Sequence, residues 1–251
     1  MTTNLLIAYP DVPWEFGTVT ADPVAEDGYG AENVVTGARG DRFLSSAEDT
    51  EHEVRFQGAA ERSTDYVFIA RADLIANAGT VRLRVQVSDD GSSWGTAVDE
   101  NPLTTADLSG NNSEDYFTAI EGAGSWDFIR VYVTSASPFT FTFSKFYAGS
   151  LFDFGRDPVY EIARSSAVYT PKDRRARRVY TLTWKGITDA KRADFIDKIL
   201  QYRDVNPVVL YDANDLIFEG LTTLHARIVS STIKTIWNNN NEIVLTLEEL
   251  I

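Results

Sequence analysis

The 251 residues carry 23 Lys+Arg against 37 Asp+Glu, a formal net charge of −14, with two histidines and no cysteine. A surface this acidic repels phosphate backbones and anionic headgroups, which argues against nucleic acid and membrane as partners, and the missing thiols exclude disulfides, cysteine nucleophiles and thiolate zinc sites. Residues 1–150 hold 9 Lys+Arg and 23 Asp+Glu whereas residues 151–251 hold 14 of each, so the length is read as two domains with all of the acidity in the first.

The N-terminus, MTTNLLIAYPDVPWE, has no basic region and only a short apolar run before Pro10. It is therefore expected to be neither a signal peptide nor a membrane span, and the chain to be made in the cytoplasm. Residues 1–30 read as an ordered, strand-poor lead-in around Trp14, Phe16 and Tyr29. The tripeptide Arg39-Gly40-Asp41 that follows matches a cell-adhesion signal, but in a polar loop it is read as a glycine turn.

From His52 onward apolar residues alternate with polar ones: Val54 and Phe56, Tyr66 and Phe68, then Val81, Leu83, Val85 and Val87. Asn77-Ala78-Gly79 and Asp89-Asp90-Gly91 bound these runs as turns, and Trp126 to Phe146 supply further strands. Short strands at regular spacing without a long helix predict an antiparallel β-sandwich as the first domain, residues 1–148. Within it Asp90-Gly91 suits a hairpin turn. Trp94, just after the turn, is read either as a lid on the end of the sandwich or as a glycan-stacking platform.

The order DRFLSS, EHEVRFQGAAERSTDYVFIAR, VRLRVQVSDDGSSWGTA and GSWDFIRVYVTS resembles the discoidin, or galactose-binding-like, jelly roll. In that pattern a strand ends in Ser (Ser88), an Asp-Gly turn (Asp90-Gly91) is followed by Trp (Trp94), and a later strand opens with Arg (Arg130). The resemblance implies a sandwich whose loops at one end hold sugars or lipids. The terminal cysteine pair of many secreted members is missing here.

Residues 149–178 read as a linker or arm, punctuated by Gly149, Gly155, Pro158 and Pro171 and closed by Lys172, Arg174, Arg175, Arg177 and Arg178. That basic run has no aromatic platform beside it, so it is taken as a solvated arm or as a contact with an acidic surface of another subunit. In residues 179–251, Tyr180, Leu182 and Trp184 alternate as a strand. Thr188 is a candidate N-cap for a helix with Phe195, Ile196, Ile199 and Leu200 on one stripe, ended by Asn206-Pro207. Val208 to Tyr211 form a buried strand, and Asn238 to Asn241 turn a long hairpin. The overall expectation is a mostly β protein: a β-sandwich plus a C-terminal α+β split-barrel module with one flanking helix.

Neither His52 nor His225 has metal-ligand spacing to a second histidine, and there is no nucleophile elbow, phosphate loop or dinucleotide fingerprint. No catalytic residue, cofactor or metal is predicted, so the chain is not expected to be an enzyme. Asp89, Asp90 and Asn111-Asn112-Ser113 leave calcium open, without a complete calcium-loop spacing.

The strand YTLTWKG, the helix after Ile187-Thr188 and the strand PVVLYD resemble the minor tail, distal tail or baseplate proteins of long-tailed bacteriophages over about residues 176–251. The resemblance implies a virion tail component, assembled in the host cytoplasm, that forms a homo-oligomeric ring, a hexamer, at the end of the tail tube. Its partners would be tube, hub and tape-measure proteins and host-surface glycans. Such a module commonly precedes its accessory domain, and here the order reads as reversed. The alternative function is a carbohydrate-binding module or adhesin, with Trp94 as candidate glycan contact and Lys172, Arg174, Arg175, Arg177 and Arg178 as candidate intersubunit contacts.

Overall fold

The computed structural model describes residues 4–10, 16–35, 42–46, 48–70, 79–105, 107–109, 115–120, 125–164, 178–202, 208–212 and 223–250. It is mostly β, with antiparallel pairings, and it divides into two compact units: Pro10–Ser150, and Met1–Tyr9 together with Leu151–Ile251. Each unit has its own apolar core.

Strand β1 (Leu6–Pro10) opens the chain, and the sandwich unit is then built from β2 (Phe16–Asp22), β3 (Phe43–Leu44), β4 (Asp49–Ser63), β5 (Tyr66–Ala70), β6 (Val81–Ser88) and β7 (Gly95–Glu100). It continues with β8 (Leu108–Ser109), β9 (Asp115–Ala119), β10 (Ser125–Phe139), β11 (Thr142–Phe143) and the first part of β12 (Lys145–Asp153). One sheet has the order β2-β4-β10-β6-β7, the other β12-β5-β9-β8, and β11 pairs with β3. Period-two alternation makes the sandwich: in β6, Val81, Leu83 and Val85 are buried while Arg82 and Arg84 face outward. The buried rows meet between the sheets, where Phe56 of β4 stacks on Phe146 of β12 at 4.3 Å and 12°. His52 lies in this core, its Nε2 2.7 Å from the Phe139 carbonyl oxygen, which makes it a structural histidine.

The C-terminal unit adds β13 (Val159–Arg164), β14 (Arg178–Ile187), helix α1 (Asp189–Lys198), β15 (Val208–Tyr211), β16 (Thr223–Trp237) and β17 (Asn240–Glu249). Its strands run β13-β14-β17-β16-β15-β1, with β12 next to β1. The expected cap is present: Thr188 Oγ1 accepts from the Lys191 amide at 3.3 Å. Phe195 and Ile199 enter the core, where Phe195 lies 5.1 Å from Phe154 and Phe154 lies 4.5 Å from Trp184. The helix stops at Lys198, earlier than Asn206-Pro207, which lies outside the described residues. Ile196 of the expected stripe is 39% exposed, because a ten-residue helix on a sheet buries a narrower face than four apolar positions suggest.

Two expected boundaries differ from this arrangement. The first residues do not lead into the sandwich: Leu6, Ile7 and Ala8 pair with Tyr211, Leu210 and Val209 of β15. Leu5, Ile7, Ala8 and Tyr9 are all buried, and a run with both faces apolar requires a place inside a sheet. The 1–148 division therefore gives way to an insertion, with the sandwich entering after β1 and leaving through β12. Nor are residues 149–178 a linker throughout, since β12, β13 and the start of β14 occupy 149–153, 159–164 and 178. Gly155 (φ 78°) forms a tight turn between strands, with its amide donating to Asp153 Oδ1 at 2.6 Å.

The Asn turn between β16 and β17 is present, with Asn239 at φ 54°. β15 pairs with β16 only through Thr223–Ala226. Beyond Ala226 the other edge of β16 has no strand against it among the described residues, and Val229, Ile236 and Trp237 are exposed.

Candidate functional site

The outer face of the β2-β4-β10-β6-β7 sheet carries a lattice of hydrogen bonds, ion pairs and cation–π contacts. Alternation places Glu51, Glu53 and Arg55 of β4, Arg130 and Tyr132 of β10, and Arg82, Arg84 and Gln86 of β6 opposite the core rows. Cross-strand register then sets neighbours: Arg130 lies between Arg55 and Gln86, and Tyr132 between Glu53 and Arg84. Glu53 accepts from Arg55 Nε at 3.0 Å and is ion-paired with Arg130. Arg130 Nε donates to Gln86 Oε1 at 2.9 Å, and Gln86 Nε2 to Thr96 Oγ1 at 3.0 Å.

Trp94 lies on this lattice. The turn after β6 is held by its own side chains: the Gly91 amide donates to Ser88 Oγ at 2.9 Å, and the Ser92 and Ser93 amides to Asp90 Oδ1 at 2.8 and 2.7 Å. Those two amides, Ser93 first, hold the Asp90 carboxyl well below the usual carboxylate range. Gly91 (φ 71°) packs under Phe128, whose ring a Cβ would approach to 3.2 Å. From this turn the half-buried Trp94 ring extends over the sheet, with the guanidinium carbons of Arg130 and Arg55 4.2 and 5.1 Å from its centroid.

The stacking continues beyond Trp94. Arg130 is 5.0 Å and Arg84 4.4 Å from the Tyr132 ring, and Tyr132 donates to Glu51 Oε2 at 2.6 Å. Partial burial and that carboxylate raise the Tyr132 phenol above its ordinary range. Arg82 forms a fork with Asp99, at 2.7 Å through Nε. Its hydrogen bond lowers the Asp99 carboxyl.

Trp94 is absent from the sandwich core, so the lid reading gives way to a place on the outer face. Arg130, expected to open a strand, is the sixth residue of β10, and its role is to carry Trp94. The tyrosine and arginines beside it were overlooked, although the polar members of VRLRVQV and IRVYV shared the alternation that marked the apolar ones. Of the basic run, Lys172, Arg174, Arg175 and Arg177 lie outside the described residues. Arg178 opens β14, where its amide donates to Glu249 Oε2 at 3.1 Å. Arg39-Gly40-Asp41 and Asn111-Asn112-Ser113 also lie outside them. Asp90 is occupied by its own turn, and among the described residues no group of three His, Cys, Asp or Glu could hold a metal ion. No described helix is long and apolar enough to cross a membrane.

No family model matches the chain, and no curated protein does. Solved structures are similar to about half of it. A mutant of chitosan-binding module 1 from a chitosanase/glucanase of Paenibacillus sp. IK-5 is 14% identical with a TM-score of 0.45, over 57% of this chain and 99% of that one. A pectin-binding carbohydrate-binding module is 18% identical with a TM-score of 0.39, over 53% and 89%. The CBM32 module of AlyQ, in complex with 4,5-unsaturated mannuronic acid, is 16% identical with a TM-score of 0.38, over 53% and 95%.

Proposed function

We propose that the chain is a non-catalytic carbohydrate-binding protein that holds glycans on the outer face of the sandwich, with Trp94 as the platform. The observation that carries this reading is the half-buried Trp94 ring supported on Arg130 and Arg55. A sugar presents an apolar C–H face and a rim of hydroxyls. The ring offers the first a flat surface already held in place, and Thr96 and the guanidinium groups offer the second hydrogen-bonding groups beside it, with buried Gln86 tying Thr96 to Arg130. The test is a glycan array followed by calorimetry on the full chain. Wild type binds at least one oligosaccharide class and Trp94→Ala loses that binding with unchanged melting. An array without a hit, or a Trp94→Ala variant that binds like wild type, refutes it.

A second reading, an assembly subunit of a phage tail with the sandwich as its accessory domain, is favoured by the open edge of β16. A strand edge with no strand against it among the described residues, on a strand with Val229, Ile236 and Trp237 exposed (77% for Trp237), is a surface that another chain can extend. The position of β1 ahead of the sandwich also makes the order an insertion, with residues 151–251 of the same unit still following it. Light scattering on the full chain is expected to give a closed oligomer that Ile236→Lys with Trp237→Lys converts to smaller species. A monomer at all concentrations refutes this reading and leaves the glycan site standing.

A further inference from the structure

Resting on the glycan reading of the Trp94 face, we infer that its ligand is an acidic sugar whose carboxylate is gripped by Arg84. Four arginines project from this face, and three are hydrogen-bonded to carboxylates: Arg55 and Arg130 to Glu53, and Arg82 to Asp99. Arg84 is the exception. It donates no hydrogen bond among the described residues, and its buried Nε has no partner.

The neighbours of Arg84 explain why it stays uncommitted. Asp99 is its register partner on β7, yet the Asp99 oxygens are taken by the Arg82 fork. Tyr132 is its partner on β10, and its hydroxyl is committed to Glu51. On its own strand the outward neighbours are Arg82 and Gln86, and Gln86 already bonds Arg130 and Thr96. The guanidinium carbon therefore lies 4.4 Å from the Tyr132 ring centroid, close enough to Asp99 for its charge to be felt but with no hydrogen bond to a described group, and its terminal nitrogens keep the fork that matches a carboxylate.

Geometry connects this fork to the platform. Trp94 and Tyr132 both stack on Arg130, and Arg84 stacks on Tyr132, so the order Trp94, Arg130, Tyr132, Arg84 runs across β10 and β6 as one series of flat groups. A sugar ring on Trp94 places the next units of an oligosaccharide along that series. A carboxylate substituent would reach the free fork, whereas a neutral sugar would leave it unpaired.

The test is calorimetry of the full chain against a panel of oligouronates on several backbones, each paired with its neutral methyl ester. The acid form of at least one pair is expected to bind about tenfold or more tightly than its ester, a preference that weakens with salt. Arg84→Gln should erase the difference by bringing the acid form down to the affinity of its ester, in a chain whose melting shows it still folded. Arg84→Lys, with charge but no fork, should keep only part of it. Esters or other neutral glycans that bind as tightly as acids through Trp94 overturn this inference and leave the glycan reading intact. Acid preference untouched by Arg84→Gln also overturns it. Failure of every acidic and neutral sugar overturns both.

Discussion

The sandwich and the C-terminal unit use the same antiparallel construction and the same aromatic filling, yet they leave opposite surfaces behind. On the outer sheet face of the sandwich nearly every polar group is bound to a neighbour, and the residue lying over it is an aromatic ring on guanidinium supports. In the C-terminal unit Val229, Ile236 and Trp237 of β16 are exposed apolar side chains. Charge follows the same division. Residues 1–9 contain no Lys, Arg, Asp or Glu and residues 151–251 sum to zero, so Pro10–Ser150 holds the whole −14. A face of satisfied polar groups, on a unit whose net charge of −14 resists self-association, differs in kind from exposed apolar side chains on a unit of no net charge. One chain thus carries two surfaces of different chemistry, one on each unit.

The largest expected effect tests whether the two cores are energetically separate. Phe56 is fully buried and stacked on Phe146, and its replacement by alanine should cost the sandwich about 3–5 kcal/mol. Calorimetry of the full chain should show one transition lowered and the other unmoved. Trp184→Ala, in the other core, should lower the second transition and spare the first. If both variants move a single shared transition, the comparison between independent units fails.

A smaller effect sharpens the C-terminal side. Asn241 is fully buried, and its Nδ2 donates to the Ile187 carbonyl and to Asp189 Oδ1, each at 2.9 Å. Its Oδ1 accepts from Thr235 Oγ1 at 2.9 Å and from Arg192 Nη1 at 3.3 Å. It thereby ties the start of α1 to the β16–β17 hairpin. Asn241→Leu keeps the volume but strands those partners, which should cost about 1–3 kcal/mol. Only the C-terminal transition should fall, with helical dichroism weakening ahead of the sheet signal. An unchanged melt would mean that solvent satisfies the stranded groups.

These residues also show what was legible. Thr188 capped its helix and the asparagine run made its turn because both act on backbone groups a few residues away. The strands of VRLRVQV and YTLTW were legible because a period of two exposes one face to the core along the whole run. β1 was not, since five apolar residues carry no sign that their partners lie about 200 positions later in β15. The Trp94 site lay between these cases. The arginines and tyrosine were on a readable face, but their order there depends on β4, β10 and β6 being adjacent, which is set by pairings distant in sequence.

The smallest predicted effect concerns the turn that presents Trp94, and it again separates the units. The Ser93 and Ser92 amides hold the Asp90 carboxyl below its ordinary value, so the folded sandwich favours the ionised form. A depressed folded-state pKa contributes stability that is complete above the unfolded value, near 3.9, and is lost as the pH falls toward the folded one. The loss therefore begins only below about pH 4. Asp90→Asn keeps an oxygen able to accept from the same amides while removing the charge, so the difference between the two proteins isolates the carboxylate. Because Asp90 is exposed, the effect should be small: the sandwich transition of wild type should fall more steeply than that of Asp90→Asn as the pH drops below 4. The C-terminal transition should follow the same curve in both. Equal slopes in the sandwich would mean that the turn keeps its shape without the charge, so that the glycan binding proposed for Trp94 would persist undiminished in acid.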